Sequence, residues 1–454
     1  MTYSPVDVLK VSAWGHLVGY LAPGGSRAYA FEYDPTWRQH GIELAPILMP
    51  LRPSRPVFQF PHLPAETFHG LPPTFADSAP DRFGNAIITA ALQREGVDVS
   101  RVSFLDRLAY VGRRGMGALT FEPDLGPVSH SPTPVELSEL VEAARGALVG
   151  TLEPGEARTA AMAQLVQVGT SAGGARAKAV IAWDRASNEM RAGNLPVPDR
   201  FEQWLLKLDG VEDVTLGGSR GFGRVEYAYH AMAVHAGVTM SECRLLEEGG
   251  RAHFMTKRFD RSGPGQRLHV QSLCGLAAID FNAVGVNDYG SLFDAVGRLD
   301  LGDDALAQTF RRMVFNVLAS NNDDHAKNFA FLMDAEGTWS LAPAYDLTYS
   351  YSPSSHWVSR HLTSVNGKFD GITERDMMDV ATRFGVPGAR AIIRDVEDAV
   401  ARWPEFARAS DVRPDLAGEI ASRLHTVAEA ARSARRRNVD HGSATPKSAP
   451  AHET

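Results

Sequence analysis

The sequence predicts an α+β fold of two lobes, with an additional small β-rich N-terminal domain. Three observations predict it. Residues 1 to about 125 mix short strand-like runs with Gly and Pro punctuation. Residues 178–259 give strands, one helix, then strands again, as in a small lobe. After residue 265 the apolar spacing takes on a helical period. A chain of 454 residues suits two or three domains better than one core. The expected boundaries are 1–125 for the N-terminal domain, 126–262 for the small lobe with a phosphate loop, 263–435 for a helical large lobe, and 436–454 for a disordered tail.

Taken in order, Val6–Val11 and Leu17–Leu21 read as strands, the second ending at Ala22-Pro-Gly-Gly. Pro123 to Pro134 reads as a linker, followed by helices around Val135–Leu148 and Glu156–Val166. Lys178–Trp183 is a strand that turns through Asp184–Asn188 and returns near Met190, and Phe201–Leu208 is a second. Residues 225–236 are helical, with Val225, Ala228, Tyr229 and Met232 on one face and Gly237 as terminator. Cys243–Glu247 and His253–Phe259 form a hairpin around Gly249-Gly250. Asp303 suits the N-cap of a helix that buries Leu306, Phe310, Met313, Val314, Val317 and Leu318. Further helices are expected near 373–384, 388–402 and 412–434. The polar stretch from Arg435 to Thr454 reads as disordered.

Composition narrows the function classes. Hydrophobic residues make up 44% and charged residues 22%, the balance of a soluble globular protein. A net charge of −8 argues against nucleic-acid binding over the whole surface and leaves room only for a local basic face. Two cysteines, Cys243 and Cys274, supply neither a disulfide framework nor a Cys-rich metal site. No secretory signal opens the sequence, and no apolar run approaches the ~18 residues of a membrane span. A cytoplasmic protein with no membrane association is expected.

The chemistry concentrates in residues 316–348. Asp323 and Asn328 stand five positions apart, two short apolar segments follow (Phe329–Met333 and Trp339–Leu341), and Asp346 stands just past the second. Phosphoryl transfer uses this order, with one carboxylate for the attacking hydroxyl and an amide and a second carboxylate for magnesium. The kinase catalytic loop has the same Asp-to-Asn spacing and reaches its metal-binding Asp after a hairpin. The two lobes are therefore expected to be protein-kinase-like. An isolated Asp after a helix is usually a cap or turn residue, but here three residues fit at once. His325 and Lys327 are placed to contact phosphate or orient the loop. His325 fits equally a structural histidine bonding a backbone carbonyl. Asp324 reads as a solvated neighbour. A metallohydrolase needs three or four converging ligands, whereas His253, His269, His356 and His361 are scattered.

Val168 to Lys178 is a glycine-rich stretch between a helix and a strand, where backbone N–H groups approach phosphate oxygens. It is neither Walker A nor G-x-G-x-x-G, and a simple turn explains it as well. Lys207 interrupts apolar neighbours on a strand, and Glu226 opens the following helix. In kinases such a Lys reaches the α/β-phosphates and pairs with such a Glu. The bland alternatives are an exposed strand Lys and a first-turn acid favoured by the helix dipole. His253–Arg261 runs from the last small-lobe strand into the connection between lobes, where adenine meets backbone groups. Arg258 and Asp260 fit an ordinary surface salt bridge equally.

Gly169–Lys178, Lys257–Arg261, Phe315–Phe329 and Leu341–Thr348 together resemble the HipA family of serine/threonine kinases, toxins of type II toxin–antitoxin modules. Leu71–Gly84 and Val111–Leu119 resemble that family's N-terminal domain, so the likeness covers roughly residues 5–435. The resemblance implies a kinase-like fold with ATP and Mg2+ in the cleft. It implies Asp323 as proton acceptor and Asn328 and Asp346 as metal ligands. It implies Lys207 on the phosphates, with Glu226 as its partner. The loop of Gly173, Gly174, Ala175, Arg176, Ala177 and Lys178 would cover them, and the backbone of Lys257, Arg258 and Phe259 would meet adenine. His325, Lys327 and Tyr345 belong to the same nucleotide site. Ser171 matches an inhibitory autophosphorylation serine. The resemblance also implies a HipB-like antitoxin that carries any DNA contact, and a protein substrate such as an aminoacyl-tRNA synthetase. The loop departs from the family in reading Ser-Ala-Gly-Gly-Ala-Arg-Ala-Lys, and Asp324 replaces a Gly. A small-molecule phosphotransferase and a pseudokinase subunit of an antitoxin–DNA complex are the alternative readings.

Overall fold

The computed structural model describes residues 3–25, 28–52, 56–126, 177–193, 197–211, 221–263 and 265–441, with Val141 and Ala144, and side chains up to Ala431. The N-terminal part is built on an antiparallel sheet in the order β4-β3-β2-β1-β5, comprising β1 (Leu9–Ala13), β2 (His16–Pro23), β3 (Tyr29–Tyr33), β4 (Val57–Phe58) and β5 (Leu119–Glu122). Alternation sets its faces: in β1, Leu9, Val11 and Ala13 are buried while Lys10 is exposed. Besides short helices at Pro35–His40, Ala65–Phe68 and Pro73–Ala76, this part carries two longer ones, α1 (Arg82–Arg94) and α2 (Phe104–Val111). Asp81 caps α1 by accepting from the Gly84 amide at 2.7 Å, and Ser103 with Asp106 forms a capping box on α2.

A second antiparallel sheet forms the small lobe in the order β7-β6-β8-β10-β9. Its strands are β6 (Lys178–Asp184), β7 (Glu189–Ala192), β8 (Glu202–Lys207), β9 (Cys243–Glu248) and β10 (Arg251–Lys257). Helix α3 (Phe222–His235) packs against β10 and β9. Gly223 permits that seat, because a Cβ there would lie 2.0 Å from the Ala252 carbonyl oxygen. The buried side of α3 includes Val225, Ala228, Tyr229 and Met232, the face expected from its spacing. The small-lobe core, with Ala179, Ile181, Trp204, Leu206 and Met255, also takes in Phe83 and Ile87 of α1. Core packing therefore crosses from the N-terminal part into the small lobe.

The connection between lobes carries a short hairpin, β11 (Arg261–Gly263) with β12 (Gln266–Arg267). Then come β13 (His269–Ser272), α4 (Leu273–Ala277), β14 (Asn287–Asp288), α5 (Gly290–Arg298) and α6 (Gly302–Leu318). Strands β15 (Ala330–Met333) and β16 (Trp339–Leu341) make the expected hairpin and join β13 in one sheet. The two-residue strand β17 (Thr363–Ser364) pairs in parallel with β14. The chain ends in α7 (Glu374–Phe384), α8 (Ala389–Ala401), α9 (Trp403–Ala409) and α10 (Pro414–His441).

Some expectations change. Helix α6 starts two residues earlier than expected, so Leu301 occupies the N-cap and Asp303 lies in the first turn, where an acid favours the helix dipole. Helix α9 was not expected. It begins on Trp403-Pro404, and Pro is admitted at the start of a helix because its missing N–H has no partner there anyway. Helix α10 continues to His441, beyond the expected disordered start at 435, and residues after 441 lie outside those described. The helices expected at 135–148 and 156–166 also lie outside them, apart from Val141 and Ala144, which pack in the small-lobe core. None of the described helices is long and apolar enough to cross a membrane.

The N-terminal part docks against the chain that leads to the Asp323–Asn328 segment. Asp77 accepts from the Ser272 backbone N and hydroxyl, both at 2.6 Å, and Gln271 donates to Thr74 at 2.8 Å. Asp260, fully buried, takes the Gly117 amide at 2.7 Å and pairs with Arg258 (2.7 Å) and Arg261 (2.6 Å). Arg258 is equally buried, so this pair is an internal tie rather than a surface salt bridge.

Candidate active site

Helix α6 delivers the chain to a buried polar network. Asn321 donates to Asn316 (2.9 Å), Asn316 to the Tyr289 hydroxyl (2.9 Å), and Tyr289 to Asp324 Oδ2 (2.9 Å). His361 Nδ1 lies 2.9 Å from the same oxygen, while the backbone amides of Leu362 (2.8 Å) and Thr363 (3.2 Å) donate to Oδ1. Asp324 is fully buried, which corrects the expectation of a solvated neighbour. A buried carboxylate is tolerable only when hydrogen bonds replace its water, and here four donors do so.

Asp323 points the other way and keeps 37% of its side chain exposed. Its backbone carbonyl accepts from Asn328 Nδ2 at 2.7 Å. The 3-10 turn Ala326–Asn328 closes this ring, with the Asn328 amide donating to the His325 carbonyl at 2.9 Å. With its nitrogen engaged, the Asn328 side chain keeps its amide oxygen for a ligand. Trp357 donates its indole N–H to Asp323 Oδ1 at 2.7 Å, and His325 Nε2 lies 3.7 Å from that oxygen. His325 packs between Phe281 (centroids 5.3 Å apart) and Trp357 (6.0 Å). Burial pushes its pKa below the ordinary histidine value, against the opposing pull of Asp323 and Asp346. The Lys327 ammonium sits 4.7 Å over the Phe281 ring.

The small lobe contributes the cations. Lys207 closes β8, and its ammonium bonds both Glu226 of α3 and Asp346. Lys178, opposite Lys207 in the β6–β8 register, lies 3.9 Å from the other Asp346 oxygen. Glu226 is 1% exposed, so neither the exposed strand Lys nor the first-turn acid describes this pair. Burial alone would raise the Asp346 carboxyl. Lys178 and Lys207 more than offset that and hold it well below the usual carboxylate range. Asp346 stands at φ 53°, in the left-handed region that Asp tolerates better than most residues. Beside it, the Tyr345 hydroxyl donates to the Lys327 carbonyl at 2.6 Å, tying the chain around Asp346 to the Asp323–Asn328 segment. The amide oxygen of Asn328 and the ionised Asp346 are hard oxygen donors of the kind magnesium takes.

Of the connection between lobes, Phe259 packs its ring 5.7 Å from that of Tyr345. The Lys257 and Arg258 amides donate to Glu242 and Gln203 carbonyls, both at 2.9 Å, and the Lys257 side chain pairs with Glu202. Ala177 is buried at the start of β6, whereas Ser171, Gly173, Gly174, Ala175 and Arg176 lie outside the described residues. Sequence reasoning missed Trp357 and the partners of Asp324. A lone Trp in the Ser-rich stretch Ser352–Ser359 was the available signal for the first.

Sequence profiles of known families match both parts of the chain: the HipA N-terminal domain over residues 9–122 and the HipA-like C-terminal domain over residues 170–403. A kinase candidate of Sinorhizobium fredii, Y4dM, is 22% identical over 373 residues, 78% of this chain and 81% of its own length. A second kinase candidate, from Haemophilus influenzae, is 32% identical over 108 residues, covering 22% of this chain and 31% of its own. Among solved structures, a chain from the Shewanella oneidensis MR-1 complex of the toxin–antitoxin proteins HipA and HipB with operator DNA superposes with a TM-score of 0.62. That match covers 93% of this chain and 96% of the other at 16% identity, and it shows a shared fold.

Proposed function

This chain belongs to the HipA family and has a kinase-like fold, and we propose that it is an ATP- and magnesium-dependent serine/threonine-protein kinase of the toxin type. The observation that carries this reading is the meeting of Lys207 and Glu226 from the small lobe with Asp346 from the large lobe. A structural ion pair needs two of these groups. Three, with a partly exposed Asp323 that is held by the Asn328 turn and shares His325 with Asp346 as an electrostatic neighbour, suit a reaction that gathers phosphate charge.

In the proposed reaction the hydroxyl oxygen of a Ser or Thr attacks the γ-phosphorus of ATP. The bond from that phosphorus to the β-phosphate oxygen breaks, ADP leaves, and the hydroxyl proton passes to the Asp323 carboxylate. Lys207, held by Glu226, stands where it can steady the phosphates, and Lys178 adds a second cation from the adjacent strand. Asn328 and Asp346 would hold magnesium, which supplies charge neutralisation on the phosphates. The Lys257–Phe259 backbone is proposed to meet adenine from the family likeness, with the Lys257 and Arg258 amides already donating to carbonyls within the protein. The 173–178 stretch and Ser171 are proposed as phosphate cover and autophosphorylation site from the family likeness. The same likeness supports a HipB-like antitoxin as partner, DNA contact through that partner alone, and a protein substrate such as an aminoacyl-tRNA synthetase. Incubating the purified protein with labelled ATP and magnesium tests the reading. Phosphate incorporation should vanish in Asp323→Ala while the fold persists by circular dichroism, and undiminished labelling would refute the assignment.

A further inference from the structure

Trp357 lies in the loop between Asp346 and β17, outside any helix or strand. Its backbone N donates to Ser355 Oγ at 3.1 Å, the Val358 N donates to the same oxygen at 3.2 Å, and Asn322 Nδ2 donates to the Val358 carbonyl at 3.1 Å. A few residues on, Leu362 and Thr363 donate to Asp324. Residues 355–363 thus grip both members of the acid pair, Asp323 through an indole and Asp324 through backbone amides.

The indole either plugs Asp323 or sets its orientation, and the geometry separates the two. A plug would bury the carboxylate and cover both oxygens. Instead Asp323 keeps 37% exposure, and among the described residues only Oδ1 takes a hydrogen bond. The terminal torsion of an Asp side chain is soft, so one fixed oxygen sets where the other faces. The Phe281, His325 and Trp357 rings, tilted or edge-on to one another, form a wall on the bonded side.

We infer that Trp357 is a positioning residue for phosphoryl transfer: its indole N–H pins Asp323 Oδ1, leaving Oδ2 to face the incoming hydroxyl. The inference rests on the reading of Asp323 as proton acceptor. Trp357→Phe keeps most of the ring and removes the donor. With dephosphorylated casein and Mg-ATP as probes, it should lower kcat about tenfold or more while KM for ATP stays unchanged. An unchanged kcat overturns the inference, and a raised kcat overturns it in favour of a plug. Undiminished labelling by Asp323→Ala removes the premise instead, a result separate from either Trp357 outcome. Should Trp357→Phe not fold, nuclear magnetic resonance still decides. In Asp323→Asn one of the seven indole N–H signals should move upfield as its bond weakens, and seven unmoved signals would overturn the inference.

Discussion

Asp324→Ala removes the acceptor of four hydrogen bonds at once: those from the Tyr289 hydroxyl, His361 and the amides of Leu362 and Thr363. All four donors belong to a buried region, so water cannot replace the lost carboxylate without opening the packing. At about 1 kcal/mol per bond the loss is about 4 kcal/mol, and stranded donors raise it further. Asp324→Asn retains an oxygen for the two backbone amides and loses only the side that meets Tyr289 and His361. It should cost about half as much, roughly 2 kcal/mol. The midpoint of urea unfolding, followed by circular dichroism, measures both variants. Hydrogen exchange over residues 358–366 should quicken in the same order. If both variants stay within about 0.5 kcal/mol of the parent protein, as surface substitutions do, Asp324 is not the anchor described.

Lys207→Met should reduce labelling at least tenfold, and leaving Glu226 buried without its cation should cost about 3 kcal/mol or more. Lys207→Met with Glu226→Gln should recover part of the thermal stability and none of the labelling. Recovered labelling would show that the pair is only structural. Burial lowers the His269 pKa to about 4 from 6.5, so between those values the unfolded chain takes up a proton that the folded chain refuses. Stability should therefore fall as pH drops from 6.5 towards 4, by up to about 3 kcal/mol, and His269→Gln should flatten that fall in denaturation curves taken across the window. Burial pushes both cysteine thiols up to about 12. Iodoacetamide should leave Cys243 and Cys274 unmodified in the native protein and alkylate both in urea, as read by mass spectrometry.

Much of the candidate site was legible in the sequence because its parts are local. The Asp323-to-Asn328 spacing is closed by a single 3-10 turn, so five positions suffice to bring the Asn328 amide onto the Asp323 carbonyl. The β15–β16 hairpin follows from two apolar runs and a turn. Lys207 on a strand and Glu226 on a helix were placed by hydrophobic period alone. What failed was local only in appearance. Asp324 looks like any polar residue beside a turn, and Arg258–Asp260 looks like any surface pair. Their burial depends on β17, α5 and the Gly112–Leu119 turn of the N-terminal part, which sequence period says nothing about.

The sequence by itself determined most of the elements and singled out the candidate residues, since turns, caps and hydrophobic periods act over a few positions. Only the tertiary structure decided who meets whom. Lys207 and Asp346 are 139 positions apart, and Asp323 and Trp357 are 34 apart. Such pairs form because burying apolar faces stacks the two lobes, and a carboxylate or ammonium trapped at that junction must find a partner there.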